Sequence, residues 1–327
     1  MIFLTASSLA QAPKPEPAPK SPPPQVLPPG DTRRDVAFQK ARGELASYDP
    51  ATRTGTFKKT ADGTIARFIA LPHVICQHHG SIGDMSDYRI GERLNFILVE
   101  GTDGQWNRLN LVAEELEEIL AHKEAYFVDR IDTERRILHC TRKKLDGSAV
   151  IWPDMVIHTD ADTRYWREGR PGGQFSDLAP GMPLYIKTHG GTGLLERVAW
   201  EVLMDDASVK HFEDQQIKAH EARLTRDGFP GYADSVNGAE VKVTLFQECS
   251  DMIRRTRPLK AKAPVLLAQA GPDRAAVGNR IPATIVSQRL YIRHSAYITE
   301  VVLSLESPAP GELKPASLIR LWPGTEK

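Results

Sequence analysis

The chain has 327 residues and a mass of 36.3 kDa, about twice a common domain length, so two or three domains are expected. Hydrophobic residues at 41% and charged residues at 26% are enough for packed cores and exclude wholesale disorder. With 42 basic and 42 acidic side chains the net charge is zero, which disfavours a dedicated nucleic-acid or other polyanion binder, and no apolar run is long enough for a membrane-spanning helix.

Residues 1–10 end in a small-x-small pattern (Ser8, Leu9, Ala10) of the kind a signal peptidase cleaves, although no Lys or Arg precedes Lys14 to form a basic n-region. The expectation is a signal peptide over 1–10 and a periplasmic or secreted, bacterial envelope address. No cysteine precedes Cys76, so no lipid anchor is expected. Nine of the 24 prolines fall in residues 13–29, a composition that favours extended polyproline II and predicts a semi-rigid linker over 11–34.

Beyond the linker the chain repeats itself. The run Ser86, Asp87, Tyr88, Arg89, Ile90, Gly91 leading into Leu94 and Phe96 matches Ser176, Asp177, Leu178, Ala179, Pro180, Gly181 leading into Leu184 and Ile186, with each pair 90 residues apart. Tyr48, Asp49 and Arg53 before Thr56 and Phe57 likewise match Ile131, Asp132 and Arg135 before Ile137 and Leu138. A third, divergent copy opens at Tyr232. Its register is open, because Leu290 to Ile292 and Leu313, Lys314, Pro315, Ala316 are rival counterparts of the second unit's turn and strand.

Short alternating runs, such as Val241, Val243 and Leu245 opposite Glu240, Lys242 and Thr244, read as half-buried strands. Asp62-Gly63, Asp103-Gly104, Asp146-Gly147 and Asn237-Gly238 supply hairpin turns between such runs. Two helices are predicted. Residues 113–120 place Leu116, Ile119 and Leu120 on one side and four glutamates on the other; residues 208–225 carry Val209, Phe212, Ile217 and Leu224 and stop at Gly228 and Pro230. The expected fold is therefore mainly β: tandem small antiparallel β-barrels, OB-like, with linking α-helices. Its units are 35–120 with a C-terminal helix, 121–205, and 206–327 as a helix plus a divergent barrel.

Over residues 43–205 the turn-Asp start, the central Asp-Gly hairpin and the Ser-Asp-Leu-x-Pro-Gly turn before an apolar strand resemble the tandem small β-barrel repeats of uncharacterised exported bacterial proteins. That resemblance implies an OB-like barrel and an envelope setting, and it transfers no site residue.

Among chemistry-bearing residues, His73, Cys76, His78 and His79 put four soft or borderline donors within seven positions, a set suited to copper or zinc. In a straight strand His73 and His79 share one face and Cys76 and His78 the other, so a single ion needs a bend to gather them. A polar loop with one buried thiol is the competing reading. His158, Asp160 and Asp162 read as a strand-end turn, and the helix bearing His220 and Glu221 has Leu224 where a zinc helix needs its second His. Cys76, Cys140 and Cys249 are expected as buried free thiols. Arg254, Arg255, Arg257, Lys260 and Lys262 form a basic stripe suited to partner docking, without the interleaved aromatics that single-strand nucleic-acid binders use. The sequence contains no GxSxG, phosphate-loop or GxGxxG motif, and no pattern in it supports a nucleophile with a base. The functional expectation is a non-catalytic binding or assembly module of the envelope, engaging a protein or polysaccharide partner within a larger complex. The alternatives are a periplasmic metal-binding protein and an OB-like nucleic-acid binder.

Overall fold

The computed structural model describes residues 37–191, 195–255, 259–293 and 296–324. The predicted signal peptide and linker lie outside these residues, as does Arg257. Three small closed β-barrels follow one another in tandem, with few helices.

The first barrel comprises β1 (Phe38–Asp49), β2 (Thr54–Lys59), β3 (Ile65–His78), the short β4 (Ser81–Ile82), β5 (Arg93–Glu100) and β6 (Trp106–Glu114). Helix α1 (Glu115–Ala121) leads into the second, made of β7 (Glu124–Asp132), β8 (Ile137–Lys144), β9 (Val150–His158), β10 (Arg164–Arg167), β11 (Arg170–Pro171), β12 (Pro183–His189) and β13 (Glu196–Leu203). Helix α2 (Asp206–Asp227) precedes the third: β14 (Phe229–Asn237), β15 (Glu240–Leu245), α3 (Gln247–Arg255), β16 (Pro264–Ala270), β17 (Ala276–Arg293), β18 (Ala296–Leu305) and β19 (Leu318–Pro323).

In the first barrel the strands run β2-β1-β5-β6-β3, and β2 pairs with β3 to close the ring; β3 and β6 are parallel while the other pairs are antiparallel. The second repeats this plan, β8-β7-β12-β13-β9, with β9 and β13 parallel. Five strands in this order form the Greek-key barrel of OB-like domains. The third closes differently, as six antiparallel strands in the order β14-β15-β18-β17-β16-β19. Each barrel has its own apolar core: Phe57, Phe68 and Phe96 in the first, Tyr126, Leu138 and Ile186 in the second, Phe229, Val243 and Leu303 in the third. Phe57 and Phe96 stack with centroids 4.1 Å apart.

One backbone corner recurs in all three barrels. The Gly91 N–H donates to Leu45 O and the Leu45 N–H to Glu92 O. Gly181 and Met182 make the same exchange with Val128, and Ala316 and Ser317 make it with Ala233. Leu45, Val128 and Ala233 each sit at a register shift in the first strand of their barrel. The third copy's turn is therefore the one at Leu313 to Ala316, and Leu290 to Ile292 belong to β17 instead. A second detail shifts by one residue: the counterpart of Arg53 (φ 56°) is Arg136 (φ 55°), not Arg135.

The corner requires a left-handed backbone, with φ of 90° at Gly91, 84° at Gly181 and 74° at Ala316. A side chain there is opposed by its own backbone. A Cβ at Gly181 would meet nothing within 4 Å, so strain is the only cost of adding one. Gly181→Ala should lower stability by about 1 kcal/mol, and Ala316→Gly should change it in the opposite sense. Urea unfolding of the two variants checks both signs.

Candidate functional site: a buried cation cage between the first two barrels

β3 ends at His78, and His79 turns the chain with a left-handed φ of 52°. Parallel pairing sets Gln77 beside Ala113, which brings His78 and His79 alongside Glu114 at the end of β6. The Glu114 carboxylate accepts from the His79 N–H, and the Glu117 carboxylate accepts from the Gly80 N–H. The ligand atoms of His78, His79 and Glu114 all lie within 4.8 Å of one another, a spacing that could hold a metal ion.

The middle of this cluster holds Lys187 of β12, from the second barrel. Its ammonium lies 2.6 Å from His79 Nε2, 3.4 Å from His78 Nε2, 3.0 Å from Glu114 Oε2 and 3.3 Å from Glu92 Oε1. Glu92 follows the corner glycine of the first barrel, so the repeated corner also delivers a cage wall. The isolated bridge between Glu92 and His189 ties the two barrels' backbones together beside it. Lys187, Glu92 and Glu114 are 5%, 2% and 1% exposed, so these charges answer one another with little help from water.

Helix α2 closes the outer side. The Gln216 amide donates to Ile82 O and Asp87 Oδ2, which leaves its Oε1 to accept from His78 Nδ1 at 2.9 Å. That bond assigns the proton to Nδ1 and turns the His78 Nε2 lone pair toward Lys187. The Phe212 ring stands edge-on to His79 with centroids 4.7 Å apart.

Burial opposes charge on Lys187, but Glu114 and Glu92 overcome it and hold the ammonium protonated well above the usual lysine range. Burial would likewise raise Glu114, yet Lys187 and the two histidines keep it ionised below the usual carboxylate range. Glu92 is raised by its burial, with Lys187 pulling the other way.

The remaining acids of α1 complete a second layer. Glu115 meets Arg197 at 3.2 Å, Glu118 meets Arg42 at 2.7 Å, and Arg142 pairs with Glu124 at 2.6 Å. The Arg42, Arg142 and Arg197 guanidinium groups all pack against the Trp152 ring. The third barrel docks through Arg274, which pairs with Glu248 of α3 and approaches Asp84 of the first barrel at 3.9 Å.

The four-donor set predicted from sequence is divided. His78 and His79 enter the cage, whereas Cys76 faces the first barrel's core at 2% exposure, its thiol pushed up by burial. His73 lies edge-on to Tyr232 and Phe246 of the third barrel. Glu114, which in the sequence belongs to a helix's polar face, is the third member; sequence reasoning misses Glu92, Lys187 and Gln216. Of these three, only Lys187 leaves a sequence signal, a lysine inside the run Leu184, Tyr185, Ile186, Lys187. Of the basic stripe, Arg254 lies in the last turn of α3 with its guanidinium 5.1 Å from the Tyr297 ring, and Lys260 and Lys262 are exposed; the Arg255 side chain lies outside the described residues. Asp160 accepts from the Asp162 and Thr163 N–H groups, as a strand-end turn does. The three cysteines are buried and free.

No family model matches the chain, and no curated protein matches it. Among solved structures it is similar to Ag(I)CusF, at 15% identity over 24% of this chain and 99% of that one, with a TM-score of 0.19. It is also similar to apo-CusF residues 6–88 from Escherichia coli, at 17% identity over 26% and 98% of the two chains, again with a TM-score of 0.19. A likeness at that level does not bear on what this chain binds.

Two groups of the site titrate in opposite senses. Burial, then the charge of Glu114, pushes Glu117 up to about 8, from an ordinary 4.5. The folded state therefore holds a proton that the unfolded state releases, and Glu117 withdraws stability as pH rises from about 4.5 to 8. Burial pushes His79 down from 6.5 to about 2, so its contribution is present above 6.5 and is lost as pH falls below it. Glu117→Gln should therefore gain stability over the parent at pH 8 and not at pH 5, and His79→Asn should flatten the acid limb. Urea unfolding across that range reads both.

Proposed function

We propose that the protein is a non-catalytic binding or assembly module, exported to the bacterial cell envelope, where it engages a protein or polysaccharide partner. The observation that carries this reading is the use made of its ionisable groups. Lys187 pairs with Glu92 and Glu114 across the seam between two barrels, Arg197 pairs with Glu115 of the helix that links them, and Arg142 pairs with Glu124 within the second barrel beside it. Groups held in this way fix an interface; a general acid or base must exchange its proton with a substrate. The units assigned from sequence, 35–120, 121–205 and 206–327, act in this reading as three rigidly joined blocks.

The third barrel supplies a surface suited to a partner. β16 and the residue before it pair with β17 only as far as Ile285. Beyond that point, among the described residues, β17 pairs with β18 alone and leaves its other edge open, with Val286 52% and Ile292 64% exposed. Two residues of the basic stripe lie near this segment: the Lys262 N–H donates to Ile285 O where the edge opens, and Arg254 covers Tyr297 of β18, the partner of Ile292. An extended partner segment carrying acidic side chains suits both features.

A second reading, copper or zinc binding, is favoured by one observation: the convergence of His78, His79 and Glu114. Elemental analysis of protein purified without a histidine tag tests it.

The leading reading is tested in cells with a photo-cross-linking residue at Ile292, followed by fractionation and mass spectrometry of the mature N-terminus. A start near residue 11 in the envelope fraction, with a partner cross-linked at Ile292, is expected. An intact leader in the cytoplasm would overturn the address, and no cross-linked species would overturn the partner surface.

A further inference from the structure

The four acceptors around Lys187 have the composition of a transition-metal site. Two imidazole Nε2 atoms and two carboxylate oxygens are a donor set for zinc or copper(II), and the Gln216 bond to His78 Nδ1 is the outer contact that orients a ligating histidine. Glu92 Oε1 and Glu114 Oε2 are buried, and the Lys187 ammonium is the charge they answer to. All four donors belong to the first barrel: His78 and His79 from the end of β3, Glu114 from β6 and Glu92 from the corner before β5. The cation alone comes from the second.

Resting on the metal reading above, we propose that Lys187 is the resident cation of a first-barrel metal cage, so that a divalent transition metal and the Lys187 ammonium are mutually exclusive occupants. A metal bonded to these donors at about 2.0–2.2 Å needs the space that Nζ fills. Two positive charges in one dry cage repel, whereas either one neutralises Glu92 and Glu114. Metal loading therefore expels Lys187 and releases β12 from the first barrel, which makes the site a control on how the first two barrels dock.

The experiment is titration of Zn2+ into the metal-stripped full chain and into Lys187→Ala, with Lys187→Ala/His79→Ala as the cage control. One Zn2+ should bind Lys187→Ala at least about 100-fold more tightly than the parent, and the gain should vanish in the double variant. Equal affinity for the parent and Lys187→Ala would overturn the exclusion while leaving the metal reading intact. No binding by either would overturn both. If Lys187→Ala does not fold alone, stoichiometric Zn2+ should restore its folded circular dichroism signal, and failure to do so counts against the proposal.

Discussion

The relation between the first two barrels depends on one buried ammonium group. Lys187 is carried on β12 of the second barrel and neutralises two carboxylates of the first, with two imidazole lone pairs completing its surroundings. Taking such charges out of water costs several kcal/mol per ion, and that cost is offset only while the partners stay at contact distance. The same chemistry that makes the pair expensive to bury makes it expensive to misplace. Register, docking angle and the position of α2 are held to the geometry that keeps Lys187 enclosed.

The fold supplies that geometry by repeating one backbone device. In each barrel the first strand is interrupted at a bulge and exchanges two hydrogen bonds with a left-handed turn, accepting one and donating the other. In the first barrel the residue after that turn is Glu92, a wall of the cage; in the second it is Met182, and in the third Ser317. A shared structural corner has acquired a charged side chain in one copy only. Helix α1 works in the same way: seven residues long, it carries acids that take up cations from both barrels. A helix this short gains little from its own backbone, so its place is fixed by those ion pairs and by Leu116 and Ile119 beneath.

Much of the fold was legible in the sequence because turns and alternation are local. The 90-residue match between Gly91 and Gly181 reports a backbone conformation that few residues tolerate, and the structure repeats it to within a few degrees. The third unit was harder to place, since Ala316 occupies the position that glycine marks elsewhere. Helix α3 was missed because its residues lie next to a basic run that reads as surface. The cage was legible only in half. His78 and His79 stand out as neighbours, whereas Lys187 lies 108 residues from His79 in another barrel and Glu92 comes from the corner before β5, and no local pattern records either contact. Glutamates opposite an apolar stripe ordinarily face water; in this protein the second barrel brings the arginines and the lysine that bury them.

The most direct measurement is a double-mutant cycle between Glu114→Gln and Lys187→Met, read by urea unfolding. If the cage fixes the seam, each single change costs about 3 kcal/mol or more and the double variant loses less than their sum, leaving a coupling above about 1.5 kcal/mol. Losses that add to within about 0.5 kcal/mol would mean that the two charges do not depend on one another, and would contradict a central role for Lys187 in holding the barrels together.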